Sequence, residues 1–589
     1  MLPPLPADYE IELKLRINPE TQAQFEDPAL LAAWKIGNPE IRHLESTYFE
    51  TPDHQLVQRR AGLRVRRIGG QCLQTLKEAG NPATELGRCE WECPLPATGT
   101  DWPIRPDLGR FTDPRARELL ADIAPQTLAP FFVTRIRRWV QMLELEHEGE
   151  PTRIEMAVDS GALDLPADGR SLPLCEIELE LKHGHPGALY RVAQALHAHL
   201  PLELETMTKA ARGYALAGGE PPQPCRAQKL ELYPETTVRQ AIGAIVRACL
   251  AHALRNQPCV QEGVDSEGVH QMRVGVRRLR SALTVFRTAL PADEREALRS
   301  GLKRLADNLG PARDWDVFRD ELLAPLEQAF AGEEAMRLPL SVLAGIVAHC
   351  REAAYARLRA ALRTPEHTAL LLRCGQWLED WSHPPAASSS PASSGDTEAA
   401  CPEEACDTLR TAITVSRVES ASPAAILDQP IAHWAPELLR RRHKQARKIG
   451  ADFASLSSEK RHQVRIALKK LRYTADFFRA LYEDKPTRRY LQELASLQDS
   501  LGHLNDVATA RRLLAEARHG LRTPPEARAT ETPQPPFHAD PVALAQACGL
   551  VVGWHARGVV DQEATLCRNW ERFAASKPFW PKPGRSRPE

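Results

Sequence analysis

The chain has 589 residues, 43% of them hydrophobic and 26% charged, with a net charge of −1 at pH 7. That length exceeds one ordinary core, so two or three domains are expected, and the even charge balance excludes a wholly basic nucleic-acid binder. The first residues hold no basic stretch leading into an apolar one, and no later run reaches membrane-spanning length, so a cytoplasmic protein is expected.

Glu10-Ile11-Glu12-Leu13-Lys14 opens the chain as a strand whose period-two alternation puts Glu10, Glu12 and Lys14 on one face and Ile11 and Leu13 on the other. Pro19 to Asn38 reads as a short helical segment and His43 to Glu50 as the next strand, ended by a Thr51-Pro52-Asp53 turn. Leu63-Arg64-Val65-Arg66 places Arg64 and Arg66 on one face, Gly69-Gly70 signals a hairpin, and Lys77 follows in the next strand-like run. Arg88, Glu90 and Glu92 alternate with Cys89, Trp91 and Cys93. Pro114 to Ala124 reads as helix, and Phe131 to Trp139 as strand with Arg135 and Arg137 on a shared face. Glu155 and Asp159 share a face of the following strand, and Glu176, Glu178, Glu180 and Lys182 repeat the opening grammar. A helix over Gly187 to Leu200 and the run Lys209, Arg212, Tyr214 end this region.

If the apolar faces pack outward under helices, the charged faces turn toward one another, which requires a closed or nearly closed antiparallel barrel with a wet lumen. Acids in that lumen collect a divalent metal through oxygen, and Arg and Lys bind an anion bridged to it. A small polyphosphate meets both demands. The thirteen cysteines form no CxxC pair, and neither Cys89/Cys93 nor Cys401/Cys406 has the partners of a zinc site, so all are read as reduced thiols.

These marks, together with Thr208 to Tyr214, resemble the signature of the CYTH superfamily, the triphosphate tunnel metalloenzymes, over about the first 215 residues. The resemblance implies an eight-stranded tunnel that hydrolyses or cyclises a triphosphate with metal. On it, Lys14, Arg64, Arg66, Lys77, Arg135 and Lys209 are expected to hold phosphates, with Arg88 and Arg212 as further candidates. Glu10, Glu12, Glu176 and Glu178, joined by Glu90, Glu155, Asp159 and Glu180, are expected to hold Mg2+ or Mn2+, with Glu10, Glu12, Lys14 and Lys77 as the catalytic set.

From about residue 235 the period is helical nearly to the end, and an internal repeat appears. His270, Arg273, Arg277 and Arg280 fall on one helical face, and His462, Arg465, Lys469 and Arg472 repeat it 192 residues later, as do Asp314 and Asp506. Two matched basic stripes suit a long flexible polyanion, with the two aspartates orienting arginines. Duplex nucleic acid is the competing ligand; no helix-turn-helix pattern or aromatic interleaving supports it. The motifs resemble the CHAD domain, the conserved histidine α-helical domain, which is associated with inorganic polyphosphate.

The expected architecture is an α+β multidomain chain, an N-terminal antiparallel eight-stranded β tunnel with flanking helices followed by an all-α duplicated helical bundle. Residues 1–218 form the tunnel domain, 219–234 a linker, 235–580 the helical domain with low-complexity insertions at about 384–406 and 522–541, and 581–589 a tail. The expected activity is hydrolysis of tripolyphosphate to diphosphate and phosphate, with inorganic polyphosphate bound by the helical domain and its granules as a further address in the cytoplasm. Thiamine triphosphatase, adenylate cyclase and a non-catalytic polyphosphate receptor stand as alternatives.

Overall fold

The computed structural model describes residues 9–581, leaving out 79–86, 97–101, 219–220, 264, 385–425 and 523–539. The two expected low-complexity insertions lie almost wholly outside the described residues, as does all of the expected tail but Pro581.

Nine strands form one antiparallel sheet: β1 (Tyr9–Ile17), β2 (Lys35–Glu50), β3 (Ala61–Ile68), β4 (Gln71–Glu78), β5 (Gly87–Leu95), β6 (Ala129–His147), β7 (Glu150–Asp164), β8 (Ser171–His183) and β9 (Leu202–Leu204). Their order is β5-β4-β3-β2-β6-β7-β8-β1-β9, and β5 also pairs with β1. That last pairing closes eight strands into a tunnel. The ninth, not expected from the sequence, is a three-residue strand on β1, too short for period-two patterning to reveal it.

β2 begins at Lys35, inside the segment expected to be helical, and only Gln22–Phe25 forms a single α turn there. The long β6 supplies the reason: it offers Leu143 and Met142 as partners to Lys35 and Ile36 across an irregularity in β2. Pairing with a distant strand overrides a weak local preference.

Outside the tunnel, the apolar face of β1 packs Leu13, Leu15 and Ile17 against the flanking helix Gly187–His199, whose Leu189, Val192, Ala193 and Leu196 are buried. Their spacing draws one apolar stripe along the helix, and each such large side chain contributes about 1.5–3 kcal/mol by leaving water. The opposite face of β1 carries Glu10, Glu12 and Lys14 into the lumen. A closing helix, Lys209–Gly218, seals the tunnel. A Cβ at Gly213 would meet the Phe132 ring at 2.5 Å, so only glycine lets this helix lie so close to the sheet.

Among the described residues, every regular element from Val238 onward is helical, apart from one isolated bridge between Thr237 and Pro430. The first basic helix, Ser266–Val285, is capped by Asp265, and the second, Ser458–Phe478, by Ser457, each side chain accepting from a backbone N–H of the first turn. The helices that follow start at Ala292 and Asp484, so both pairs of starts are 192 residues apart, 266 to 458 and 292 to 484. The duplication read from the sequence is thus a repeated structural unit. The seam helix, Pro365–Ser382, packs on the flanking helix of the tunnel, and its Leu372 belongs to the tunnel-side core. No helix among the described residues is long and apolar enough to cross a membrane.

Candidate functional site

The tunnel encloses a cavity of about 510 Å3 whose lining is mostly charged side chains. Strand register explains its layout. Glu155 of β7 pairs with Glu180 of β8, which pairs with Glu12 of β1, so three neighbouring strands form an all-acid rung. Like charges directly opposite one another on a sheet repel, and a cation relieves them. One step deeper, Glu178 pairs with Lys14, and one step beyond that Asp159 pairs with Glu176.

The deep acids are tied to the chain's own bases. Lys209 Nζ donates to Asp159 at 2.8 Å, to Glu178 at 2.9 Å and to Glu176, while Arg138 donates to both oxygens of Asp159 at 2.7 Å and Arg212 to Glu176. Asp159 and Glu176 are fully buried. Burial would raise the Glu178 carboxyl, but Lys14, Lys209 and Arg138 outweigh it and hold it well below its ordinary value. Burial would likewise raise Asp159, yet Lys209 and Arg138 keep it lowered. Lys14 donates to Glu12 at 2.8 Å and to Glu178, and although burial opposes it, Glu178, Glu176 and Glu10 keep the ammonium raised.

Toward the rung the balance shifts. Lys77 bridges Glu10 at 2.9 Å and Glu90 at 2.7 Å, and Arg64 lies 3.2 Å from Glu90. Burial raises the Glu90 carboxyl against the pull of Lys77 and Arg64. It also raises Glu180 against Lys182, with Glu10 and Glu155 adding to the rise. Among the described residues, Arg66 has no carboxylate hydrogen-bond partner; its Nε donates to Ser46 Oγ at 2.9 Å. Burial, with Arg64 and Arg138 beside it, pushes its guanidinium down to about 10. Arg64 and Arg66 together outweigh burial at Tyr48 and lower that phenol. A guanidinium buried among cations is a place for an anion.

Of the residues expected from the sequence, the cavity wall gathers Glu10, Glu12, Lys14, Arg64, Arg66, Lys77, Glu90, Glu155, Glu178, Glu180 and Lys209. Asp159, Glu176 and Arg212 stand behind this wall in the ion-pair network. Arg135 stands apart: its side chain is 60% exposed and pairs with Asp164 and Glu45. Arg88 pairs through its backbone with Glu10, and its side chain lies outside the described residues. Arg42, Tyr48 and Arg138 line the cavity without having been expected. Arg138 follows Arg137 directly, so the available signal was the opposite parity of the same strand.

In the helical half, the two basic helices face each other. Burial, then Arg277, Arg465 and Arg273, push the Lys469 ammonium down to about 6, so residues from both halves act on one group. Burial and Arg313 push His270 down to about 4. Arg273 lies 3.6 Å from Asp314, which accepts from Arg512 of the other half at 2.9 Å. Arg465 is lowered by burial despite Asp506. Arg472 donates to Gln498 at 3.3 Å.

A CYTH-domain family model matches residues 8–214, and a CHAD-domain family model matches residues 244–515. The chain is 32% identical over 208 residues to the inorganic triphosphatase of Haemophilus influenzae, covering 35% of this chain and 54% of that protein. It is 25% identical over 351 residues to an uncharacterized protein of Mycobacterium tuberculosis, covering 55% of this chain and 61% of the relative. These matches thus span between about half and three fifths of the relatives' own length. The solved CHAD domain of the plant Ricinus communis superposes with a TM-score of 0.45 at 30% identity, over 60% of this chain and 98% of that one. Tunnel and helical bundle together make this chain a CYTH domain followed by a CHAD domain.

Proposed function

We propose that the tunnel is the active site of a metal-dependent inorganic triphosphatase that takes tripolyphosphate and water to diphosphate and phosphate. The carrying observation is the meeting, in one cavity, of an all-acid rung with Lys14, Arg64, Arg66, Lys77, Arg138 and Lys209. An anion receptor alone has no use for the acids. The oxygen-only donor set fits Mg2+ or Mn2+, and Glu10, Glu12, Glu155 and Glu180 are best placed to hold it, since Asp159, Glu176 and Glu178 already answer to four bases, Lys14, Arg138, Lys209 and Arg212. A divalent cation there supplies charge neutralisation on phosphate oxygens and a lowered pKa for a bound water.

The chain's own residues do the rest. Arg66 and Arg64 take up phosphate charge, Lys77 and Lys14 exchange carboxylate partners for phosphate oxygens, and Lys209 with Arg138 holds the deep wall rigid. Positioning and charge stabilisation carry most of phosphoryl-transfer catalysis. Among the described residues, the lining offers only Tyr48 and Tyr214 as aromatic surfaces, which favours an inorganic substrate over a nucleotide or thiamine ester. The relative from Haemophilus influenzae, named as an inorganic triphosphatase, supports the same reading.

The helical domain, which we assign to residues 235–580 after a tunnel domain of 1–218 and a linker of 219–234, binds inorganic polyphosphate between the two basic helices. Crowded cations from both halves around Lys469 favour this. The test measures phosphate release by the purified chain on tripolyphosphate, ATP and thiamine triphosphate, with Mg2+ or Mn2+ and then with EDTA. Fast metal-dependent release from tripolyphosphate is the expected result. Preference for an organic triphosphate changes the enzyme, and no release from any substrate leaves a receptor.

A further inference from the structure

The duplication of the helical domain is broken near the end of the first basic helix. On the second basic helix, Asp476 stands among Arg278 of the first and Arg472 and Arg479 of its own half; burial raises its carboxyl, and the three guanidiniums oppose the rise. The matching position 192 residues earlier is Thr284, and the matches of Arg278 and Arg479 are Lys470 and Arg287. The bases recur without the acid.

One more base is added at that end. Arg442 lies on the helix Ile431–Ile449, where the same offset gives the buried, apolar Leu250 in the other half. Its partners among the described residues are neutral: Nη2 donates to the Thr284 carbonyl at 3.2 Å and Nη1 to Gln445 Oε1 at 3.4 Å, while Nε is buried with no partner. The Thr284 hydroxyl is turned elsewhere and donates to the Arg280 carbonyl at 2.9 Å. Burial, then Arg441 and Arg287, push the Arg442 guanidinium down to about 10. Burial, then Arg442 and Arg299, lower the Lys470 ammonium. Among the described residues, no acid is named with either group. Arg299 does have Glu296 at 3.1 Å, but both of those side chains are more than half exposed.

We propose that Arg287, Arg442 and Lys470, with Arg299 at the rim, form a second anion site of the helical domain that takes the phosphate groups of a polyvalent anion. Like charges gathered in a partly desolvated place are relieved by a counter-charge. In the other half that counter-charge is Asp476, built into the chain; here a ligand supplies it. A carboxylate brings one charge, whereas a phosphate group brings about −1.5 to −2 at pH 7 and several oxygens for guanidinium forks. The site is distinct from the stripes proposed above for polyphosphate. Lys469 answers to Arg277, Arg465 and Arg273, and Lys470 to Arg442 and Arg299, so the two clusters lie on different sides of one helix. It stands whether or not the tunnel hydrolyses tripolyphosphate.

The experiment uses the full chain in EDTA, so that the tunnel does not turn over. Lys470 is labelled with an amine-reactive ester, and its modification is read by peptide mass spectrometry while orthophosphate, diphosphate or long-chain polyphosphate is titrated in. Protection of Lys470 is expected; protection by diphosphate assigns free inorganic phosphates as the source, and protection by the long chain alone assigns a segment of polymer. The protection is expected to persist when Arg273→Ala is combined with Arg465→Ala. Thr284→Asp restores the acid of the other half, and Arg442→Leu copies its Leu250; each is expected to raise the midpoint of protection at least about tenfold. No protection by any probe, protection that disappears with the Arg273/Arg465 pair, or unchanged midpoints in folded Thr284→Asp and Arg442→Leu overturns the site.

Discussion

Arg138 donates to both carboxylate oxygens of Asp159, each at 2.7 Å, in the deep wall of the tunnel. The pair joins β6 to β7 across a position where the strands already match Arg138 with Asp159 by register. Asp159 is fully buried, so breaking the pair from either side leaves an uncompensated charge in a poorly solvated place.

Asp159→Asn is therefore expected to cost about 3–5 kcal/mol at neutral pH. Because Lys209 and Arg138 overcome burial and depress the Asp159 pKa in the folded state, its contribution is fully present above the unfolded value of about 3.9 and is lost as pH falls through the folded value. Urea unfolding of both proteins at neutral pH and below pH ~4 reads this directly. The gap between them should narrow on acidification; a constant gap would mean that packing, not charge, sets the effect.

Glu12→Gln removes one rung acid while keeping its size and its neighbours. The Mg2+ concentration for half-activation should rise roughly 10- to 100-fold, with lower turnover on tripolyphosphate. Polyphosphate binding by the helical domain should not change. Normal metal-dependent turnover in this variant would take β1 out of the site.

Arg66→Lys tests the guanidinium that, among the described residues, has no carboxylate hydrogen-bond partner. Lysine keeps the charge but loses the planar fork, so a loss of about tenfold in kcat/KM is expected, near 1.4 kcal/mol. Equal kinetics in the two proteins would assign Arg66 to packing against Ser46.

Arg273→Ala combined with Arg465→Ala should weaken long-chain polyphosphate without altering triphosphate turnover. In the wild-type chain, Lys469 is neutral above pH about 6 because burial and three arginines depress it. A bound polyanion raises that pKa, so binding takes up a proton in the window above 6, and affinity falls as pH rises through it. Each unit of rise corresponds to about tenfold in affinity. Calorimetry in buffers of different ionisation heat counts the proton, and zero uptake would separate Lys469 from the ligand.

Gly375→Ala probes the contact between the domains. A Cβ there would meet the Tyr190 ring of the flanking helix at 2.1 Å. Overpacking of this kind costs about 1–3 kcal/mol, and calorimetry should find the tunnel and the bundle destabilised together. A shift confined to one transition would show that they unfold independently.

What the sequence by itself determined was everything carried by short-range periodicity. Glu10, Glu12 and Lys14 share a face because alternation is a property of any strand, and His270 to Arg280 share one because helical spacing is equally local. The 192-residue repeat was legible for the same reason: matched local patterns survive as a pattern. Tertiary structure decided parity and partnership. Arg135 and Arg138 lie three residues apart on one strand, yet only Arg138 turns into the lumen, because the pairing of β6 with β2 and β7 fixes which parity faces inward. No local pattern joins Glu155, Glu180 and Glu12 into one rung, or brings Asp380 to His147 across 233 residues of chain. Those meetings exist only once the tunnel has closed and the seam helix has packed against it, since contact across such separations is set by burial of whole faces rather than by neighbours in the chain.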